Sequence, residues 1–342
     1  MKAIVFHPSG PRLEERPVPV AGQNELLLKV EYCGICGSDI HAGEPDFHPG
    51  TIMGHEFSAT VVDLGPGATG FAVGDRVVVH PNAQVCGECE ECRRGLTNLC
   101  AGVWKTATGL VRDGGLASFT TAKTGSTHKL PDSVDFATAA LVEPLAVALH
   151  AVRRSGFAIG QTAVVLGAGP IGLLVTTLLA AAGASEITVV EPSPTRRKYA
   201  LQQGAQYVID PNAVDTVDHF DQAGQPDYVF ECSGVAELVG IAIRIVRKRG
   251  VVTVSGFSRR PPQFAAADLL HKEVSLMGSF IYTHEFAEAI SLLASGKIDA
   301  RPLISGIVSL DEGLDAFAKM KSSPDVVKLL IRASHDGEQD TV

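Results

Sequence analysis

The chain has 342 residues, 45% of them hydrophobic, with 29 Lys plus Arg against 38 Asp plus Glu, a net charge of −9. That length supports a large core, more readily two domains than one, and no apolar run is long enough to span a bilayer. The acidic balance, without any basic tract to track a phosphate backbone, excludes nucleic acid and membrane as expected partners.

At the N-terminus, MKAIVFHPSG has neither a basic stretch before an apolar run nor a small-residue cleavage site, which predicts a cytoplasmic protein. In a reducing compartment the seven cysteines read as metal ligands, reactive thiols or packing groups before disulfides.

From Met1 to about Leu130, short alternating runs separated by Gly and Pro predict a β domain, barrel-like in character. ELLLKVE places Leu26, Leu28 and Val30 on one face and Leu27, Lys29 and Glu31 on the other; EFSATVVDLG and DRVVVHP are similar runs. From Gln161 to about Tyr282, the apolar strands TAVVLG, EITVVE, DYVFEC and GVVTVSG alternate with helical stretches, which predicts a parallel sheet with helices on both faces. From Thr283 mixed structure returns, with Phe286, Ile290 and Leu293 at helical spacing, and HDGEQDTV reads as a disordered tail. The fold class is α/β.

The middle region carries a dinucleotide signal. A strand, TAVVLG, leads into Gly167-Ala168-Gly169-Pro170-Ile171-Gly172 and a helix, and the next strand ends at Glu191. The first glycine permits a tight turn, the second lets the backbone approach a pyrophosphate at the positive helix end, and the third allows helix to pack on strand. Glu191, nineteen residues past Gly172, is placed to accept hydrogen bonds from the adenosine ribose. Its charge opposes a 2′-phosphate and favours NAD over NADP, a preference that Arg196 and Arg197 just behind it moderate.

Cys86, Cys89, Cys92 and Cys100 lie within CGECEECRRGLTNLC. Four thiolates close a tetrahedral zinc site and leave no position for substrate, so this cluster reads as structural. The first two spacings suit an iron–sulfur cluster as well.

The catalytic candidates are dispersed: Cys36 and His41 in CGICGSDIH, His55 and Glu56 in MGHEF, and Glu143 in VEPLAVALHA. A Cys, a His and a carboxylate leave one coordination position open on zinc, as a catalytic metal requires. Taken singly, His55 reads equally as a satisfied interior histidine, Glu143 as a first-turn helix acid and Cys36 as a small buried hydrophobe.

Taken together and in order, GICGSDIH, GHEF, the four-cysteine loop, EPLAVALHA and VLGAGPIG resemble the zinc-containing medium-chain alcohol dehydrogenases over essentially the whole chain. The likeness is strongest to the polyol (sorbitol-type) branch, with threonine and butanediol dehydrogenases nearby. It implies a GroES-like catalytic domain at residues 1–147, holding the structural zinc loop at 86–100, a Rossmann domain at 148–282, and a return to the catalytic domain at 283–342. It also implies that cofactor and catalytic zinc share the cleft between the domains.

By the same resemblance, Cys36 and His55 are zinc ligands, Glu56 is the third ligand of the polyol branch, and Glu143 ligates directly or through water. Asp39 orients the zinc-bound histidine, Ser38 takes the substrate proton and His41 passes it toward solvent. Cys33 is packing, not a ligand, and Cys232 lines the cleft. Two zinc ions per chain and NAD+ are the implied cofactors. The implied reaction is oxidation of a secondary alcohol, a polyol or sugar derivative, to a ketone, in a dimer or homotetramer. Ile281-Tyr282 stands where sorbitol-type members carry Arg-Tyr, which removes a donor for distal hydroxyls. Tyr282, Phe47, Trp104 and Phe119 are candidate pocket residues. Oxidation of threonine or 2,3-butanediol is the alternative substrate reading. A catalytically silent NAD-binding, zinc-stabilised interaction protein is the alternative of another class.

Overall fold

The computed structural model describes residues 1–40, 48–82 and 84–334. His41, Phe47 and the expected tail at 335–342 lie outside the described residues. The chain packs as two units. One comprises Met1–Glu143, Phe286–Ser295 and Ile304–Val342; the other comprises Pro144–Glu285 and Gly296–Leu303. The segment Gly296–Leu303, expected to return to the catalytic domain, packs instead with the second unit, where Ile298, Ala300 and Leu303 are buried.

In the first unit, β1 (Lys2–Val5) and β2 (Arg12–Glu15) form an antiparallel hairpin. The main sheet is built from β3 (Glu25–Gly34), β4 (Glu56–Leu64), β5 (Arg76–Val79), β6 (Phe119–Lys123) and β7 (Thr127–Lys129). Two strands from the C-terminal segment, β14 (Ile304–Ser309) and β15 (Lys328–Arg332), complete it in the order β14-β15-β3-β4-β5-β7, with β6 also paired to β3. The alternation read in ELLLKVE is present, since Leu26, Leu28 and Val30 are fully buried; Leu27 is buried too, so β3 is covered on both faces here.

Antiparallel register decides where the chemistry falls. Gly34, the last residue of β3, lies opposite Glu56, the first residue of β4. β15 runs antiparallel along β3, with Leu330 opposite Gly34. The end of β3 and the starts of β4 and β15 therefore converge, bringing Cys36, His55, Glu56 and Lys328 together from distant parts of the sequence.

The second unit is a six-stranded parallel sheet of β8 (Thr162–Leu166), β9 (Glu186–Val190), β10 (Tyr207–Ile209), β11 (Tyr228–Glu231), β12 (Val251–Val254) and β13 (Ser275–Gly278). Its order, β10-β9-β8-β11-β12-β13, is the 3-2-1-4-5-6 arrangement of a dinucleotide-binding sheet. Its central strands are apolar on both faces because helices cover both; Val229 and Phe230 are fully buried, each worth about 2 kcal/mol of apolar transfer. The helix Pro170–Ala181 buries Leu173, Leu174, Val175, Leu178 and Leu179. Helix Glu237–Ile245 buries Val239, Ala242, Ile243 and Ile245.

Candidate active site and metal centres

The donor atoms of Cys36, His55 and Glu56 all lie within 4.8 Å of one another. Behind them, Asp39 sits in the short helix Gly37–Ile40 and is 1% exposed. One Asp39 oxygen, Oδ2, accepts the Cys36 amide at 2.9 Å, and the other stands 3.7 Å from His55 Nδ1. Asp39 thus holds the Cys36 backbone by a hydrogen bond and sets its other oxygen behind His55, where a carboxylate stands behind a metal-binding histidine.

The site's electrostatics call for a cation. His55 Nδ1 and Asp39 Oδ1 are buried without a hydrogen bond, an uncommon condition for polar atoms inside a protein. Burial opposes a charge on His55, yet the Cys36 thiolate and the Asp39 carboxylate outweigh it and raise the imidazole well above its ordinary range. Buried Glu143 adds to the same field. A soft thiolate, an imidazole and carboxylates form the donor chemistry of zinc, and these residues fit that ion.

Glu56 has a partner that motif reading missed. The Lys328 ammonium contacts Glu56 Oε1 at 2.9 Å and Oε2 at 2.6 Å and also donates to the Ile35 carbonyl at 3.0 Å. Both side chains are 1% exposed. Gly34 makes room for the pair, because a Cβ there would stand 2.3 Å from Glu56 Oε2.

Of the other expected residues, Ser38 is exposed on the helix that holds Asp39. Cys33 is fully buried in the core of the first unit, outside the donor group. Tyr282 is fully buried, whereas Trp104 is 49% exposed. Cys232 meets Ser255 Oγ at 3.4 Å within the second unit.

All seven cysteines are free, and the donor atoms of Cys86, Cys89, Cys92 and Cys100 lie within 4.8 Å of one another. Sulfurs at the corners of a zinc tetrahedron with bonds of about 2.3 Å stand about 3.8 Å apart. Here Cys86 Sγ is 3.6 Å from Cys100 Sγ and 3.9 Å from Cys92 Sγ. Backbone amides point at the sulfurs: Cys89 N to Cys86 Sγ at 3.3 Å, Cys92 N to Cys89 Sγ at 3.4 Å and Gly102 N to Cys100 Sγ at 3.3 Å. Such donors favour thiolate over thiol: those of Cys89 and Glu88 bring Cys86 down to about 6, whereas at Cys89 the Cys92 amide is outweighed by burial and the neighbouring Cys92 and Cys86 thiols, which push it up to about 12.

In the second unit, Gly167 takes φ +94° after β8, and Gly169 caps the helix that Pro170 and Ile171 begin. A Cβ on Gly172 would fall 1.9 Å from the Gly167 carbonyl, which explains the third glycine. Buried Glu191 accepts the Ala168 amide at 2.7 Å and the Ser193 amide at 2.9 Å, fixing its carboxylate against the glycine turn. Each oxygen keeps a second lone pair for a ribose hydroxyl. Arg197 is committed to the carbonyls of Glu191 and Pro192 and to Asp210. The Arg196 amide donates to the capping Ser193 hydroxyl.

A thiolate–imidazole–carboxylate centre, a four-cysteine loop and a dinucleotide-binding sheet in one chain define the class of zinc-dependent dehydrogenases. Residues 22–132 match the alcohol dehydrogenase GroES-like domain and residues 170–295 the zinc-binding dehydrogenase domain. The chain is 39% identical to 2-dehydro-3-deoxy-L-galactonate 5-dehydrogenase of Pseudoalteromonas atlantica, covering 92% of this chain and 93% of that one. It is 36% identical to sorbitol dehydrogenase of Halalkalibacterium halodurans, covering 97% and 99%. Among solved structures, a zinc-binding dehydrogenase from Sinorhizobium meliloti bound to NADP superposes with a TM-score of 0.92 at 34% identity, covering 97% and 98%. The chain belongs to the zinc-binding medium-chain alcohol dehydrogenase family and is an alcohol or polyol dehydrogenase.

Proposed function

We propose that the protein oxidises a secondary hydroxyl of a polyol or sugar derivative, sugar acids included, to the ketone and passes the hydride to NAD+. The observation that carries this reading is the Cys36–His55–Glu56 donor group braced by Asp39. Cys36 and His55 hold a zinc ion with Glu56 and Glu143 as carboxylate donors, and that ion supplies Lewis acidity toward the alcohol oxygen. Asp39 fixes the imidazole orientation, and the exposed Ser38 hydroxyl takes the substrate proton, with His41 as its relay to solvent. Gly167, Gly169 and Gly172 seat the pyrophosphate, and Glu191 receives the adenosine ribose. The relatives named for a sugar acid and for sorbitol support the substrate class.

The test is NADH formation with a panel of polyols, sugar acids, diols and threonine, in protein holding two zinc ions per chain. Absence of turnover across the panel overturns the reading. Replacing Glu191 by Ala should narrow the preference for NAD over NADP, and an unchanged ratio removes its ribose role.

The working form is a homo-oligomer joined at the edge of the parallel sheet. Supporting this, β13 is an edge strand with Leu276 36% exposed, near Leu270 at 75% and Phe280 at 37%, an apolar rim of the kind that copies of a chain cover. Light scattering that gives a monomer at micromolar concentration refutes it. No helix among the described residues is long and apolar enough to cross a membrane. A cytoplasmic location suits seven unpaired cysteines, four of them gathered for a metal.

A further inference from the structure

The strand order of the parallel sheet reverses between β8 and β11, and a ligand crevice opens beyond the carboxyl ends of such a pair. One wall is the turn from Gly167 to Gly172; the other is the turn from Cys232 to Gly234, which leaves β11 directly after Glu231. Glu231 pairs with Leu166, the residue before Gly167, and Cys232 N donates to Leu166 O at 3.0 Å. The two turns meet without slack. A Cβ on Gly167 would stand 2.8 Å from Ser233 Cβ, and one on Gly172 would stand 3.4 Å from Cys232 Cβ.

Glu231 is 1% exposed and turns its carboxylate into the segment that follows it. Oε1 accepts the Ser233 amide at 2.8 Å, the Ser233 hydroxyl at 2.6 Å and the Gly234 amide at 3.0 Å. The same hydroxyl accepts the Val235 amide at 3.0 Å. Gly234 takes φ +74° to close the turn, and Gly256 leaves room for the acid, since a Cβ there would stand 2.5 Å from Glu231 Oε2. Removing a carboxylate from water is costly unless donors are aimed at it. Here every donor to Oε1 belongs to one turn, so these bonds fix the shape of that turn. Buried Glu191 acts alike on the far side of β8, where it accepts the Ala168 amide. The glycine turn is thus set between two buried glutamates, one at the end of each strand that flanks β8.

We propose that Glu231 is a positioning residue for the dinucleotide: it holds the Cys232–Gly234 turn against the glycine turn and so fixes the width of the crevice that takes the pyrophosphate. The proposal rests on the NAD reading above. Glu231 acts through the turn, because its Oε1 is already occupied by that turn's donors.

The test uses full-length, zinc-loaded protein, with NADH binding followed by fluorescence, ADP-ribose binding by competition, and the KM for NAD+ measured beside kcat. Glu231→Ala should weaken NADH and ADP-ribose alike, about tenfold or more, since both carry the pyrophosphate. It should raise the KM for NAD+ by a similar factor and leave kcat at saturating NAD+ within about twofold. Glu231→Gln keeps an oxygen for the same donors and should bind both ligands within about threefold of wild type. Ser233→Ala removes one donor but leaves the acid held by two amides, so it should fold even if Glu231→Ala does not, and should weaken both ligands about threefold. Wild-type affinity in Glu231→Ala or in Ser233→Ala overturns the proposal. So does a Gln variant as weak as the Ala variant, because charge and not placement would then be at work. A loss confined to NADH overturns it too, by moving the effect away from the pyrophosphate. If wild type binds neither NADH nor ADP-ribose, the NAD reading itself falls and the proposal with it.

Discussion

At Cys36, replacement by Ser exchanges a thiolate for a hydroxyl that stays protonated at neutral pH and holds zinc poorly. Cys36→Ser should bind one zinc per chain instead of two by elemental analysis. It should lose turnover by about 10³-fold or more, several kcal/mol of Lewis-acid assistance, while NADH binding followed by fluorescence is retained. At Gly34, an added methyl meets Glu56 Oε2 at 2.3 Å and pushes the carboxylate off Lys328. Gly34→Ala should lower stability in urea by about 1–3 kcal/mol, and an unchanged midpoint would show that the pair relaxes freely. Cys36, His55 and Glu56 were legible because GICGSDIH and GHEF are local motifs. Lys328 was not: it is one lysine in the strand KLLIR, 272 residues from its partner, and only the register of β15 on β3 gives it a role.

Among the elements, the loop from Cys86 to Cys100 holds only short helices, Glu90–Arg93 and Thr97–Leu99, neither able to persist alone. Its order depends on what the four sulfurs hold. Cys89→Ser should therefore lower the thermal midpoint and sensitise the loop to proteolysis under chelator, with activity lost afterwards; an inactive variant of wild-type stability would contradict a structural role. The loop was the plainest signal in the sequence because four ligands fit in fifteen residues, a spacing that needs no fold to interpret. The parallel sheet was legible for a similar reason, as strand and helix periods alternate along it. The joining of β15 to β3, and of β14 to β15, was beyond periodicity, since a short apolar run does not say which edge it will extend.

For the whole molecule, buried titratable groups set the response to acid. Burial brings His80 down to about 3, with His128 beside it adding repulsion, and burial lowers His128 as well. Both histidines pack on Phe286. Unfolded histidines take up protons near pH 6.5 while these stay neutral in the fold, so stability is lost as pH falls below about 6.5 and the loss levels off near pH 3. Glu285 adds at the acid end. Burial alone would raise it, but the His150 bond and the Thr283 amide prevail and bring it to about 2, so its contribution fades as pH falls from about 4.5 through 2. Urea midpoints should therefore decline steadily from pH 7 to pH 3. His80→Asn, which keeps an acceptor for the Asn82 amide, should flatten the decline by about 4 kcal/mol; an equal slope in the variant would remove His80 as its cause.

The pairing of Glu56 with Lys328 also has a history in time. A ribosome adding roughly 5–20 residues per second delivers the lysine some 15–50 s after the glutamate, given the 272 residues between them. Throughout that interval β3 lacks its neighbour β15. Nascent chains of this protein thus pass through a stage in which the Glu56 carboxylate has not met the lysine it is buried with, and the pair closes only as β15 docks on β3.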